Sequence, residues 1–218
     1  DLVMDIIGDM MKLSSSHVGS MGGIMSLRRD ECHLAPIHLL DMDTGEYNIS
    51  YVKKYFPGRK MVLIKGIQRL QGFIVPKGNP KKIAGVDDLV REDVVFANRQ
   101  RGAGTRVLLD YRLQLSGIQP EDIRGYQREL STHMAVASAV LTGSADTGLG
   151  VLSAANAMGL DFVPLADEDY DFLIDGESLK MDLVMEFIRT IKSEEFKNRV
   201  IEMGGYGFNR TGETIWID

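Results

Sequence analysis

Cysteine is almost absent: Cys32 is the only one in 218 residues. One thiol closes no internal disulfide and fits no paired-cysteine zinc spacing. Tryptophan occurs once and proline six times. No run of about 18 apolar residues exists, so no membrane span is expected. The longest weakly apolar stretch, Met134 to Leu165, is broken by Asp146, Asn156 and Asp161. Basic charge is in deficit: 25 Lys and Arg stand against 31 Asp and Glu, a net charge of −6. That balance argues against nucleic acid or an anionic membrane as partner. No signal-peptide pattern opens the sequence, and with the lone thiol this points to a cytoplasmic location. The first residue is Asp1 rather than Met, and it falls inside a helical pattern. The expectation is a piece cut from a longer polypeptide.

What is present reads as an ordinary globular chain, 44% apolar and 26% charged. Glycine is in excess: there are 23, where average usage of about 7% would give about 15. Such an excess without a repeat suggests tight turns and close approaches of backbone to a ligand.

Periodicity places helices over residues 2–12, from Gly19-Ser20-Met21-Gly22-Gly23 to about Arg29, and over 49–56, 105–115, 132–141, 153–158, 183–191 and 193–203. Strand patterns fall near 15–18, 33–40, 61–65, 72–75, 94–97, 145–151, 162–165 and 171–174. The alternation predicts α/β architecture with parallel strands. Paired strand segments near 61–75 and 162–174 flank a central block. They predict two α/β lobes joined by two crossover strands: lobe 1 from residues 1–70 plus 166–218, and lobe 2 from 71–165.

The most informative run is Asn98-Arg99-Gln100-Arg101-Gly102-Ala103-Gly104-Thr105-Arg106. It puts three arginines in nine residues of an acidic chain, after a strand and at the start of a helix. Exposed N–H groups at a helix start favour an anion, and guanidinium groups add bidentate recognition of an oxyanion. A solvated Gly-rich turn is the plainer alternative. The run is not a dinucleotide fingerprint, because Val107 stands where a third glycine belongs, and no Gly-Lys-Ser/Thr completes a P-loop. Ser20 and Gly22 lie at a similar helix start in lobe 1, and Ser131-Thr132-His133 at another in lobe 2, where an ordinary N-cap reading competes. Cys32, His33, His38 and Asp41 do not make a metal site: alternation puts His33 and His38 on opposite faces of a strand. No nucleophile–base pairing is evident, so no catalytic residue is assigned and the domain itself is read as non-catalytic.

The same stretches, with His38-Leu39-Leu40-Asp41, Gly45-Glu46-Tyr47-Asn48, Arg69-Leu70-Gln71-Gly72, Gly78-Asn79-Pro80, Gly143 to Gly150 and Leu160 to Pro164, carry a resemblance. The sequence resembles the periplasmic-binding-protein-like domain attached to molybdotransferase (MoeA-type) molybdopterin-biosynthesis proteins and to some helix-turn-helix regulators. More distantly it is similar to molybdate- and tungstate-binding transporter components. The resemblance implies a type II binding-protein fold with a ligand cleft between its lobes. It also implies a small anionic ligand, molybdate or tungstate, no tightly bound cofactor, and a fused molybdotransferase or DNA-binding domain as partner. Its donors would be Ser20, Gly104, Thr105, Arg106 and Thr132, with Arg69, Arg99 and His133 as extensions, and Gly22 joins the candidate set beside Ser20. Family members begin with a strand before the first helix, and this chain starts at that helix, so the first strand is expected to be missing. An effector domain of a transcription regulator and a transporter's binding component remain open as alternatives.

Overall fold

The computed structural model describes residues 2–16 and 18–218. In chain order its helices are α1 (Leu2–Met10), α2 (Gly19–Arg28), α3 (Ile49–Tyr55), α4 (Gly104–Ser116), α5 (His133–Leu141), α6 (Leu152–Ala157), α7 (Asp182–Lys192) and α8 (Glu194–Ile201). Its strands are β1 (Leu34–Ile37), β2 (Met61–Val75), β3 (Phe96–Arg99), β4 (Glu129–Leu130), β5 (Thr147–Val151), β6 (Asp161–Asp175), β7 (Tyr206–Gly207) and β8 (Thr214–Ile217). The expected strand near 15–18 is not formed at residues 15, 16 and 18, and His17 lies outside the described residues. The chain divides into two compact units, residues 1–68 with 168–218, and residues 69–167.

In the first unit β1 pairs antiparallel with the second half of β6, Leu34 opposite Ile174. The first half of β2 pairs antiparallel with β8, Met61 opposite Ile217. Pro36 is tolerated because β1 is an edge strand, where one missing N–H costs no ladder bond. Successive side chains of β2 serve two cores. Met61 and Leu63 join Ile24, Leu27, Ile37 and Val52. Val62 and Ile64 join α1 (Val3, Ile7), α7 (Phe187, Ile191) and α8 (Phe196, Val200). A strand covered on both faces reads as a continuous apolar run, which is why Met61 to Ile64 lacks alternation.

In the second unit the last part of β2 pairs antiparallel with β5, Gln71 opposite Val151. Strand β5 runs parallel to β3, and β3 parallel to β4. Helices α5 and α6 cover this sheet with Val136, Val140, Ala154 and Ala155 against Ile74 and Val151. Helix α4 ends at Gly117, whose φ of 68° is the left-handed stop expected of it.

The segments expected as separate strands near 61–65 and 72–75 are one 15-residue strand, β2, and those near 162–165 and 171–174 are likewise one, β6. Polar residues hide the continuity. Lys65 lies inside β2 because Asp169 and Asp171 of β6 hold its Nζ at 2.8 and 2.6 Å. Gly66 and Gly72 allow the same pair of strands to approach. A Cβ on Gly66 would collide with the Tyr170 carbonyl oxygen, and one on Gly72 with that of Val163.

Candidate functional site

In the second unit two helix starts share one edge of the sheet. Parallel neighbours β3 and β4 end at Arg99 and Leu130, and α4 and α5 follow them at Gly104 and His133. The carboxyl edge of parallel strands is where α/β sheets present ligand groups. The arginine-rich loop is tied to the β4 segment: the Asn98 N–H donates to Arg128 O (2.9 Å) and the Gln100 N–H to Leu130 O (3.1 Å).

The side chains reinforce the tie. Asn98 Nδ2 donates to Tyr126 O at 3.0 Å. Arg99 Nε donates to Leu130 O at 3.3 Å and its Nη2 to Ser131 O at 3.0 Å. The guanidinium of Arg106, 6% exposed, donates to Asp110 at 3.1 Å and to Arg99 O at 3.3 Å. It lies 3.6 Å from Glu129 Oε1, and its Cζ stacks 4.0 Å above the Tyr126 ring. Tyr126 donates to Asp110 at 2.6 Å. Burial first, then that hydrogen bond, pushes its phenol up, with Arg106 opposing. Arg99 and Arg106 thus fasten the two helix starts together.

The start of α4 is buried: Ala103 is 7% exposed and Thr105 1%. The Arg106 and Val107 N–H groups both donate to Ala103 O, while those of Gly104 and Thr105 reach no acceptor among the described residues. Thr105 Oγ1 accepts from Gln71 Nε2 at 3.1 Å and donates to Gln71 Oε1 at a longer 3.4 Å, so one amide side chain orients the hydroxyl. At α5 the pattern is an ordinary cap. Thr132 Oγ1 accepts from Ala135 N at 3.0 Å, and the ring of half-buried His133 lies beside Gly150. Arg69 is buried on β2, 2% exposed.

In the first unit Ser20, 1% exposed, sits in the first turn of α2. Its Oγ accepts from the His38 N–H at 3.2 Å, just past the carboxyl end of β1. Gly22 lies one turn after Val18, and a Cβ there would meet the Val18 side chain at 2.8 Å. The structure therefore groups Ser20 and Gly22 in one unit, and Arg69, Arg99, Gly104, Thr105, Arg106, Thr132 and His133 in the other. It also brings forward residues outside the sequence-derived set. Gln71 supports Thr105, and Glu168 meets His38 Nδ1 at 2.7 Å. The signal for Glu168 was in the sequence: Asp167-Glu168-Asp169-Tyr170-Asp171 is too acidic for an unpartnered strand.

Among the described residues, no three His, Cys, Asp or Glu side chains converge as metal ligands, and no helix is long and apolar enough to cross a membrane.

A family model described as a PBP superfamily domain matches residues 8–192. The chain is 36% identical over 222 residues to the uncharacterized protein YvgK of Bacillus subtilis (strain 168), covering 99% of this chain and 71% of that one. Among solved structures it is similar to a Clostridium perfringens protein assigned as a phosphate ABC transporter substrate-binding protein, with phosphate bound. There the TM-score is 0.68 at 16% identity over 94% of each chain. It is also similar to the substrate-binding domain of a protein assigned as a molybdenum ABC transporter of Clostridium difficile. There the TM-score is 0.58 at 15% identity, over 94% of this chain and 93% of that one. At these identities the structural likeness establishes the α/β binding-protein fold, type II. Fold and family match agree, and the similarity to YvgK spans 99% of this chain: the chain belongs to the PBP superfamily.

Proposed function

We propose that this chain is a non-catalytic binding domain for a small tetrahedral oxyanion, with molybdate and tungstate as the first candidates. The observation that carries the reading is the buried start of α4. Gly104 and Thr105 hold N–H groups that reach no acceptor among the described residues, at a site that is 1% exposed at Thr105. Buried backbone donors are satisfied in nearly all native structures, and the positive end of a helix favours an anion. Thr105 adds a hydroxyl that Gln71 orients. Ser20 is the corresponding hydroxyl of the first unit, with Gly22 beside it. Arg99 and Arg106 hold the donor loops in place, and Thr132 caps α5. The similar phosphate and molybdenum transport components support an oxyanion as the ligand class.

The biological role we infer is sensing or delivery of the oxyanion in a cytoplasmic protein of molybdenum-cofactor synthesis or molybdate-responsive regulation. A molybdotransferase or DNA-binding domain would be fused to it. The similar transporter proteins favour a second reading, the binding component of an oxyanion transporter.

Titration calorimetry with molybdate, tungstate and phosphate tests the ligand class. Binding of at least one is expected. Thr105→Val should weaken it by about ten- to a hundredfold, the worth of one hydrogen bond to a charged group at about 1.5–3 kcal/mol. No heat with any of the three refutes the reading.

A further inference from the structure

We infer that His38 is a ligand-contacting residue of the first unit, held by Glu168 so that its Nε2 acts with the Ser20 hydroxyl on the same anion. The inference rests on the oxyanion reading above and adds to it a residue and a recognition chemistry.

Three observations converge, each within the first unit. First, the His38 ring is fixed. Nδ1 meets the Glu168 carboxylate at 2.7 Å, with Glu168 1% exposed, and the ring stacks on Tyr170 at 5.5 Å between centroids and 19° between planes. A carboxylate on one imidazole nitrogen keeps the proton there and orients the other nitrogen for a ligand. Second, Nε2 makes no hydrogen bond among the described residues, although the side chain is only 15% exposed. Third, Ser20 is 1% exposed and its Oγ accepts from the His38 N–H, but no acceptor for its own hydrogen exists among the described residues. A buried hydroxyl donor without an acceptor is costly.

Ser20 and His38 are thus joined by a hydrogen bond, and each has one polar function unspent. Both stand where the carboxyl end of β1 meets the start of α2. An anion satisfies both. Ser20 donates its O–H, and Nε2 meets an oxygen of the anion while Nδ1 stays on Glu168. The groups facing the ring are the Glu168 carboxylate and Tyr170 from β6 and Ser20 from α2.

The test is ¹⁵N–¹H correlation of the imidazole nitrogens of the full chain with and without molybdate, together with calorimetry of the wild type, His38→Ala and His38→Gln. Molybdate is expected to move the His38 Nε2 resonance and leave that of exposed His33 in place. His38→Ala should lose tenfold or more in affinity, and His38→Gln, which keeps a donor, should regain part of it. Should the wild type bind molybdate with His38 Nε2 unmoved and His38→Ala binding within twofold, this inference falls while the oxyanion reading stands. Should the wild type bind none of molybdate, tungstate and phosphate, both fall. The resonance is read on the unsubstituted protein, so a variant that misfolds does not obscure the answer.

Discussion

Replacing Lys65 by Met is the sharpest test of how β2 and β6 are held in the first unit. Lys65 is a charged residue in the middle of a long strand, with its side chain 8% exposed. Its Nζ lies 2.6 Å from Asp171, itself 1% exposed, and 2.8 Å from Asp169, which is 30% exposed. Methionine fits the volume and restores apolar burial, but leaves Asp171 without its cation. Removing one partner of a buried pair costs about 3–5 kcal/mol. Two donors remain to Asp171, Asn48 Nδ2 at 2.9 Å and the Gly66 N–H at 3.2 Å, and Asp169 can turn to water. The expected loss is therefore at the lower end, about 3 kcal/mol, read as a fall in the urea midpoint at constant slope. Lys65→Met combined with Asp171→Asn should be more stable than Lys65→Met alone, because no uncompensated charge is then buried. A single substitution costing under about 1 kcal/mol, the range of exposed pairs, would refute the reasoning.

Gly72→Ala should destabilise by about 3 kcal/mol, the upper range of overpacking, since the added Cβ meets the Val163 carbonyl oxygen and the Phe162 ring; thermal unfolding reads the loss. Asp175 carries an acid-side prediction. Burial raises its pKa, but the Glu177 N–H at 2.8 Å and Arg59 Nε at 2.6 Å outweigh it and hold the carboxyl below 3.8. The stability this group contributes is present above about pH 4 and disappears as pH falls through the lowered native value. Urea midpoints of the wild type and Asp175→Asn should therefore differ at pH 6, and the gap should shrink as pH falls through the lowered native value. Thr132→Ala should cost about 1 kcal/mol through loss of the cap on α5, with oxyanion affinity by calorimetry unchanged.

Much of the fold was legible because its strongest signals are local. The i, i+3, i+4 spacing of Leu183, Val184, Phe187, Ile188 and Ile191 marks α7, of which Val184, Phe187 and Ile191 are buried. Gly117 and Thr132 mark helix ends by backbone and capping chemistry that needs no tertiary partner. What was not legible depends on residues far apart in sequence. Lys65 looked like the end of a strand, because nothing near it shows that Asp169 and Asp171, more than a hundred residues on, will hold its charge. β8 is absent from the strand patterns read in the sequence, although Thr214-Ile215-Trp216-Ile217 are all strand formers. Its pairing with Met61 to Ile64 is likewise a long-range fact.

The candidate site follows the same rule at finer scale. The run from Asn98 to Arg106 announced itself by charge against the acidic background, and its position at the start of α4 could be read directly. What each side chain does there could not. That depends on β4, a two-residue strand too short to leave a pattern, whose Leu130 carbonyl receives Arg99 and whose Glu129 lies beside Arg106. An arginine loop that spends its side chains on its own carbonyls and carboxylates leaves backbone N–H groups and hydroxyls to meet a ligand. Such donors suit a small, fully desolvated anion better than a large flexible one, because they are fixed by the fold and carry no charge of their own to be neutralised. On that argument the guanidinium groups set affinity indirectly, by keeping Gly104 and Thr105 in place. Arg106→Lys, which retains charge but not the fork to Asp110 and Arg99 O, should loosen the start of α4 and weaken binding. A purely electrostatic role for Arg106 would leave affinity nearly unchanged in that variant.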